Sequence, residues 1–144
     1  MIDGVTNGDS IPVLERLMQF SGARHRIIAN NMANLSTPDF VPVDLSVDRF
    51  QGQLAEAIDE RREQSGNTGG QLAFEETDEI RFSGNQLVVT PQPRHDNIMF
   101  HDGNDRDLER LTQSLVENFT AFRTAAQLLR SRFDIINTAI SERV

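Results

Sequence analysis

The sequence contains no cysteine, no tryptophan and no tyrosine. Without cysteine there is no disulfide, no thiolate nucleophile and no cysteine-ligated zinc. No stretch approaches the roughly 18 consecutive apolar residues of a membrane-spanning helix, although 38% of the residues are hydrophobic. Basic residues are in deficit, 14 against 22 acidic, for a formal net charge of −8. That balance argues against nucleic acid as a partner, because phosphate contacts need a basic surface. Met1 to Gly8 carries neither a basic cluster nor an apolar run, so no cleavable secretory signal is expected. Catalytic signatures are missing as well. No serine sits in a nucleophile-elbow context, and Gly66 to Gly70 lacks the lysine and the flanking strand and helix of a phosphate loop.

The aromatic content is nine phenylalanines. Six of them, Phe20, Phe40, Phe100, Phe119, Phe122 and Phe133, lie in or beside the two terminal segments. Apolar character is therefore weighted to the ends of a 144-residue chain. That length fits one compact domain, or one elongated body whose ends need partners.

Steps of four and three from Leu14 through Met18, Ser21, His25, Ile28 and Met32 to Leu35 predict a helix over about Ile11–Leu35. Leu17 and Ile27 widen its stripe. Ser10 can cap it, Pro12 is tolerated in the first turn, and Pro38 disfavours helix at Thr37. A shorter helix is predicted from Ser46 to about Arg62, with Ser46 as cap; Gly52 weakens it by about 1 kcal/mol relative to alanine. Gln64 to Gly70 reads as a flexible linker. Between Gln71 and Phe100 the pattern is short and broken. Gln86 to Thr90 has strand character ended by Pro91-Gln92-Pro93, and the rest is expected to be irregular and ordered mainly by contacts.

The last segment is the most regular. After Asp102-Gly103-Asn104, with Asn104 or Asp105 as cap, a helix is predicted to about Ser141. Leu108, Leu115, Phe122, Leu129 and Ile136 recur every seven residues, and Phe119, Ala126, Phe133 and Ile140 form a second row four positions behind the first, with Leu111 covering its first turn. Two such rows define a coiled-coil seam. At 1.5 Å per residue this helix would be about 55 Å long, against about 38 Å for the first. The first helix can cover only part of the seam, so the remainder must meet another chain or stay wet. The expected fold is mainly α: long N- and C-terminal helices packed as a coiled-coil-like pair, a shorter helix, and an irregular, partly extended middle. It forms one structural unit, in which residues 1–45 hold the first helix and its turn, 46–100 the middle, and 101–144 the last helix.

The segment Ala29-Asn30-Asn31-Met32-Ala33-Asn34-Leu35-Ser36-Thr37-Pro38-Asp39-Phe40 resembles the signature of the bacterial flagellar basal-body rod family and related axial proteins. There a first helix ends in Asn-x-x-Asn, followed by Thr-Pro-Gly and an aromatic residue. Asn31 and Asn34 match the asparagines, Thr37-Pro38 the turn and Phe40 the aromatic. Asp39 stands where the family usually has glycine; aspartate can enter the left-handed region at modest cost. Phe100-His101-Asp102-Gly103-Asn104 followed by Asp107-Leu108-Glu109, and the stretch Asp44 to Phe50, resemble the proximal branch of that family. The resemblance covers both ends, about two-thirds of the chain. It implies a structural, non-enzymatic subunit of the proximal rod that transmits torque, leaves the cell interior through the flagellar export apparatus without a cleaved signal, and self-associates in the periplasm. Implied partners are other rod subunits, the adaptor joining the rod to the membrane ring, and the ring itself. Nucleic acid, a small-molecule substrate and a cofactor are not expected.

On this basis the expected assembly contacts are Ile28, Asn31, Met32, Asn34 and Phe40, with Leu108, Leu115, Phe119, Phe122, Leu129, Phe133 and Ile136 on the seam. Plainer readings stand beside them. Asn30, Asn31 and Asn34 can be an inter-subunit hydrogen-bonding patch, or a frayed helix end with Asn34 near the cap. Ser21 and His25 can fix register, or face the wetter side. Arg24-His25-Arg26 reads as a solvated basic spot. His95, Asp96, His101 and Asp102 are the one cluster with metal-ligand chemistry, but they lack the one-face spacing of a helical metal motif; loop roles suit them better. Asp102-Gly103-Asn104-Asp105 lacks the ligand series of a calcium loop. Three other functions stay open: another axial rod subunit, a cytoplasmic helical adaptor or regulator using the same seam, and a metal-dependent enzyme using His95 and His101.

Overall fold

The computed structural model describes residues 10–65, 72–83, 86–93 and 108–142. Its first helix, α1 (Ser10–Ala33), spans 24 residues and lies at the centre of the fold. Apolar and small residues occur on two of its sides. Leu14, Ser21 and Ile28, spaced by seven, are buried on one side; Phe20, Ala23, Arg24 and Asn31 are buried on another. The helix therefore packs against two things at once.

The first is α3 (Leu108–Ser141), 34 residues long, or about 51 Å by the rise of an α-helix. Asn118 of α3 lies against Ser21, while Leu14, two turns earlier in α1, shares a groove with residues that reach Leu128. The pair is thus antiparallel. At that register about three turns of α3 run past Ser10, where α1 begins.

The second is a small body built from the middle of the chain. After α1 the backbone turns through residues 34–39 into β1 (Val43–Asp44). Then α2 (Val47–Ser65) begins, capped as expected, with Ser46 Oγ accepting the Arg49 N–H at 3.3 Å. β2 (Ile80–Ser83) and β3 (Gln86–Val89) form an antiparallel hairpin with Ile80 opposite Val89 and Phe82 opposite Leu87. β4 (Gln92–Pro93) pairs with β1, Val43 opposite Pro93. Strand side chains alternate between faces, so Ile80, Phe82, Leu87 and Val89 all point to α1 and α2 and pack with Leu17, Phe20, Ala23, Leu45, Phe50 and Leu54.

Aromatic rings run through this body from α1 and back to it. Phe20 stacks on Phe50 with centroids 4.0 Å apart, Phe50 and Phe74 are 6.5 Å apart, and Phe74 and Phe82 are 4.4 Å apart. The Arg16 guanidinium, one turn before Phe20 on α1, lies 4.4 Å over the Phe82 ring, an attractive cation–π geometry. Phe50, Leu45 and Ile80 are buried almost completely.

Several expectations are corrected here. The middle is not simply irregular: Ile80–Ser83 supplies a strand that the broken pattern concealed, and the hairpin carries part of the core. Gln92 and Pro93 do more than end a strand, since they pair with β1. Gln64 and Ser65 belong to α2 and not to a linker; Gly66 to Gly70 lies outside the described residues. Leu45, Phe50 and Ile80 from the middle of the chain join Phe20 and Ala23 of α1 in the core. The mainly helical architecture with a long terminal pair and a partly extended middle stands. The Asp102-Gly103-Asn104 turn, with its Asn104 or Asp105 cap, lies outside the described residues.

Candidate assembly surface

The turn after α1 is built around Asn34, the second of the two motif asparagines. Asn34 donates its side-chain N–H to the Asn30 carbonyl at 2.9 Å, and its own carbonyl accepts the Thr37 N–H at 2.9 Å. Orphan carbonyls at a helix end need such partners. The Phe40 N–H then reaches the Thr37 carbonyl at 3.3 Å, closing a turn with Pro38 and Asp39 at its centre. Asp39 has φ 57° and is the one non-glycine residue with positive φ among the described residues. Proline followed by a left-handed residue is the pattern of a type II turn, in which glycine or asparagine is favoured at the second position.

Asn31 works further along. Its side-chain N–H donates to the Val43 carbonyl at 2.6 Å and its Oδ1 accepts the Val43 N–H at 3.3 Å. One amide thus imitates a neighbouring strand and fastens β1 to α1. Arg24 reinforces it, with Nε and Nη2 bonded to the two Asp44 carboxylate oxygens at 2.9 and 2.8 Å. A bidentate pair of this kind is directional as well as strong. Arg24 is therefore buried and paired, not part of a solvated basic spot; His25 and Arg26 are exposed. A second carboxylate, Glu79, is buried where β2 begins. It accepts from the Ser46 N–H at 3.4 Å and pairs with Arg49 at 3.2 Å, tying the hairpin to the start of α2.

The predicted contact residues therefore divide. Ile28 and Asn31 are buried within the chain, so neither is displayed for a partner. Met32, Asn34 and Phe40 are half-buried at the turn end of α1. On α3 the first heptad row lies along the edge of the contact with α1: Leu115, Phe122, Leu129 and Ile136 are half-buried, and Leu108 is exposed. The second row is open. Phe119, Phe133 and Ile140 are 51%, 46% and 64% exposed, and only Ala126 is half-buried. The centre of the α1 contact is instead made by Ser114, Asn118 and Ala125, small or polar residues that let the helices approach closely. Of the two polar residues in the α1 stripe, Ser21 is buried there and His25 faces solvent.

Apolar residues outside both predicted rows are exposed too: Val116, Leu128 and Ile135. Leu128 and Ile135 are seven apart, which is a sequence signal for a further row on α3. Val116 and Leu128, with Leu14 and Leu17, line a groove of about 510 Å3 between the helices.

Among the described residues no group of three or more histidine, aspartate or glutamate side chains is arranged to hold a metal ion. His95, Asp96, His101 and Asp102 lie outside them. No described helix is long and apolar enough to cross a membrane. Comparisons with family models, curated proteins and solved structures find no match for this chain.

Proposed function

We propose that the chain is a structural subunit of the bacterial flagellar basal-body rod, most like the proximal rod protein FlgB, and that it transmits torque through packed terminal helices. The observation that carries this reading is a conjunction. A chain with the axial signature at residues 29–40 forms a long antiparallel pair whose outer helix displays Leu108, Phe119, Phe133 and Ile140. Exposed apolar area on one continuous helix marks an association surface. The role of these side chains is packing, and no residue is assigned a catalytic, metal or cofactor role. The proposed partners are further copies and neighbouring rod subunits, the rod-to-ring adaptor with the membrane ring, and the export apparatus. The proposed location is the periplasmic part of the basal body.

A cytoplasmic adaptor that grips a partner through the same face of α3 is the competing reading, since the open apolar stripe would serve it equally. Secretion separates the two. The tagged chain, expressed in flagellated cells, is expected outside the inner membrane when the flagellar export apparatus is intact and inside when it is disabled. Retention in the cytoplasm of both strains favours the adaptor.

A further inference from the structure

Leu17, Arg24 and Asn31 of α1 are spaced by seven and all meet the middle body. The chemistry of this contact changes along the helix. Toward its start the contact is apolar and aromatic. Leu17, Phe20, Ala23 and Ile27 pack with the body, and the Phe20 and Phe50 rings lie flat on each other with 3° between their planes. The Arg16 contact with Phe82 belongs to this same end. Toward the end of α1 the contact is polar. Arg24 grips both carboxylate oxygens of Asp44, and Asn31 holds the N–H and the carbonyl of Val43. The two grips start about 10 Å apart along α1 and converge on neighbouring residues of β1.

The two halves resist different motions. Apolar contact is non-directional, and stacked rings keep most of their contact when one slides over the other. Hydrogen bonds fix angle as well as distance, bidentate ones most of all. The polar half also lies apart from the folding of the body. The core cluster holds Leu45, Phe50 and Ile80 but neither Val43 nor Asp44. One residue beyond the grip, Leu45 is buried in that core, and the Ser46 N–H is bound by Glu79 of the body. β1 pairs with β4 as well. It is thus fixed to the body on one side, while Arg24 and Asn31 tie it to α1 on the other.

We propose that Arg24 and Asn31 form a latch that sets the angle of the middle body on α1. With the latch closed, the body has one orientation. With it open, β1 leaves α1 together with the body, which turns about the Phe20–Phe50 contact while its core stays folded. α2 and the hairpin are thereby re-aimed relative to the helix pair. Discrete arrangements of packed elements, exchanged by breaking a few polar bonds, are a common basis of switching. α3 takes no part in the latch, because it meets α1 on the side of Ser21, where Asn118 is bound. The device is a property of the fold and stands whether or not the chain is a rod subunit.

The chain has no cysteine, so two introduced ones label it uniquely. His25→Cys on α1 and Glu60→Cys on α2 are exposed positions for a pair of spin labels in the full chain, and pulsed electron resonance reads the distance between them. With the latch intact, one narrow distance is expected. Arg24→Met/Asn31→Ala/Asp44→Ala removes the latch and leaves no unpaired charge in its place. It is expected to add a second, broader distance while the hairpin amides keep their protection from hydrogen exchange. In the unmodified chain the Val43 N–H should exchange about tenfold or more faster than the amides of the β2–β3 ladder, because the latch opens without the core. Asn118→Ala, on the other side of α1, should leave the distance as it was. A single narrow distance in the latch variant would overturn the proposal. So would loss of hairpin protection in that variant, Val43 exchange as slow as that of the ladder, or equal broadening in Asn118→Ala.

Discussion

Asn118 donates its side-chain N–H to the backbone carbonyl of Ser21 at 2.8 Å, across 97 residues of sequence. Both residues are buried, within the contact between α1 and α3. A buried amide is satisfied at one helix register and stranded at others, so it selects that register. Replacing it with alanine removes the bond and leaves the rest of the helix unchanged. Asn118→Ala is expected to lower stability by about 1–2 kcal/mol, read as a fall in the urea midpoint. An unchanged midpoint would mean that the amide contributes nothing to the pairing.

Arg24 and Asp44 form the second long-range anchor, with side chains only 9% and 14% exposed. Removing Asp44 leaves the Arg24 guanidinium largely buried without its carboxylate, and removing Arg24 leaves the Asp44 carboxylate largely buried without its cation, although the Leu45 N–H still donates to it at 2.8 Å. Arg24→Met or Asp44→Ala should each cost about 3 kcal/mol. The double variant should lose less than the sum, with a coupling of about 2 kcal/mol in a double-mutant cycle. Strict additivity would show that the two side chains do not act as a pair.

Asp39 holds a left-handed backbone at φ 57°, where glycine has no Cβ to crowd the carbonyl. Asp39→Gly is expected to be neutral or to stabilise by up to about 1 kcal/mol, and Asp39→Val to destabilise by about 1–2 kcal/mol. Thermal unfolding measures both. A more stable valine variant would contradict the turn geometry.

Phe122 and Phe119 separate folding from association. Phe122 is half-buried beside α1, whereas Phe119 is 51% exposed. Phe122→Asp should therefore lower stability by about 2–4 kcal/mol as well as impair assembly. Phe119→Asp should leave stability within about 0.5 kcal/mol and still abolish motility. Equal losses of stability in the two variants would argue against this division of the helix.

The long helices were legible because their periods are long: the first heptad row runs unbroken from Leu108 to Ile136, and the stripe from Leu14 to Met32 keeps its spacing through the polar Ser21 and His25. Which side of α3 faces α1 was not legible. A helix with apolar residues on several sides gives their angular spacing but not the direction of its neighbour, and here the contact centres on Ser114, Asn118 and Ala125. β2 was missed because four residues, Ile80 to Ser83, are too few for a firm alternation. Gly84-Asn85, between Phe82 and Leu87, was the available hairpin signal. Asn31 and Asn34 stood out in the sequence; the Asn34 bond to Asn30 is local, one turn back, but the partner of Asn31, Val43, depends on how the chain returns after Pro38. In the sequence Arg24 reads as a surface charge because nothing local marks a carboxylate twenty residues on as its partner.

The most direct test of a rod role is deletion of the gene followed by fractionation of the surviving flagellar structures. The expected result is loss of filaments, with basal bodies that stop at the membrane ring and are restored by the unmodified gene. Complete rods and swimming cells would contradict a rod role and leave the cytoplasmic adaptor as the better reading.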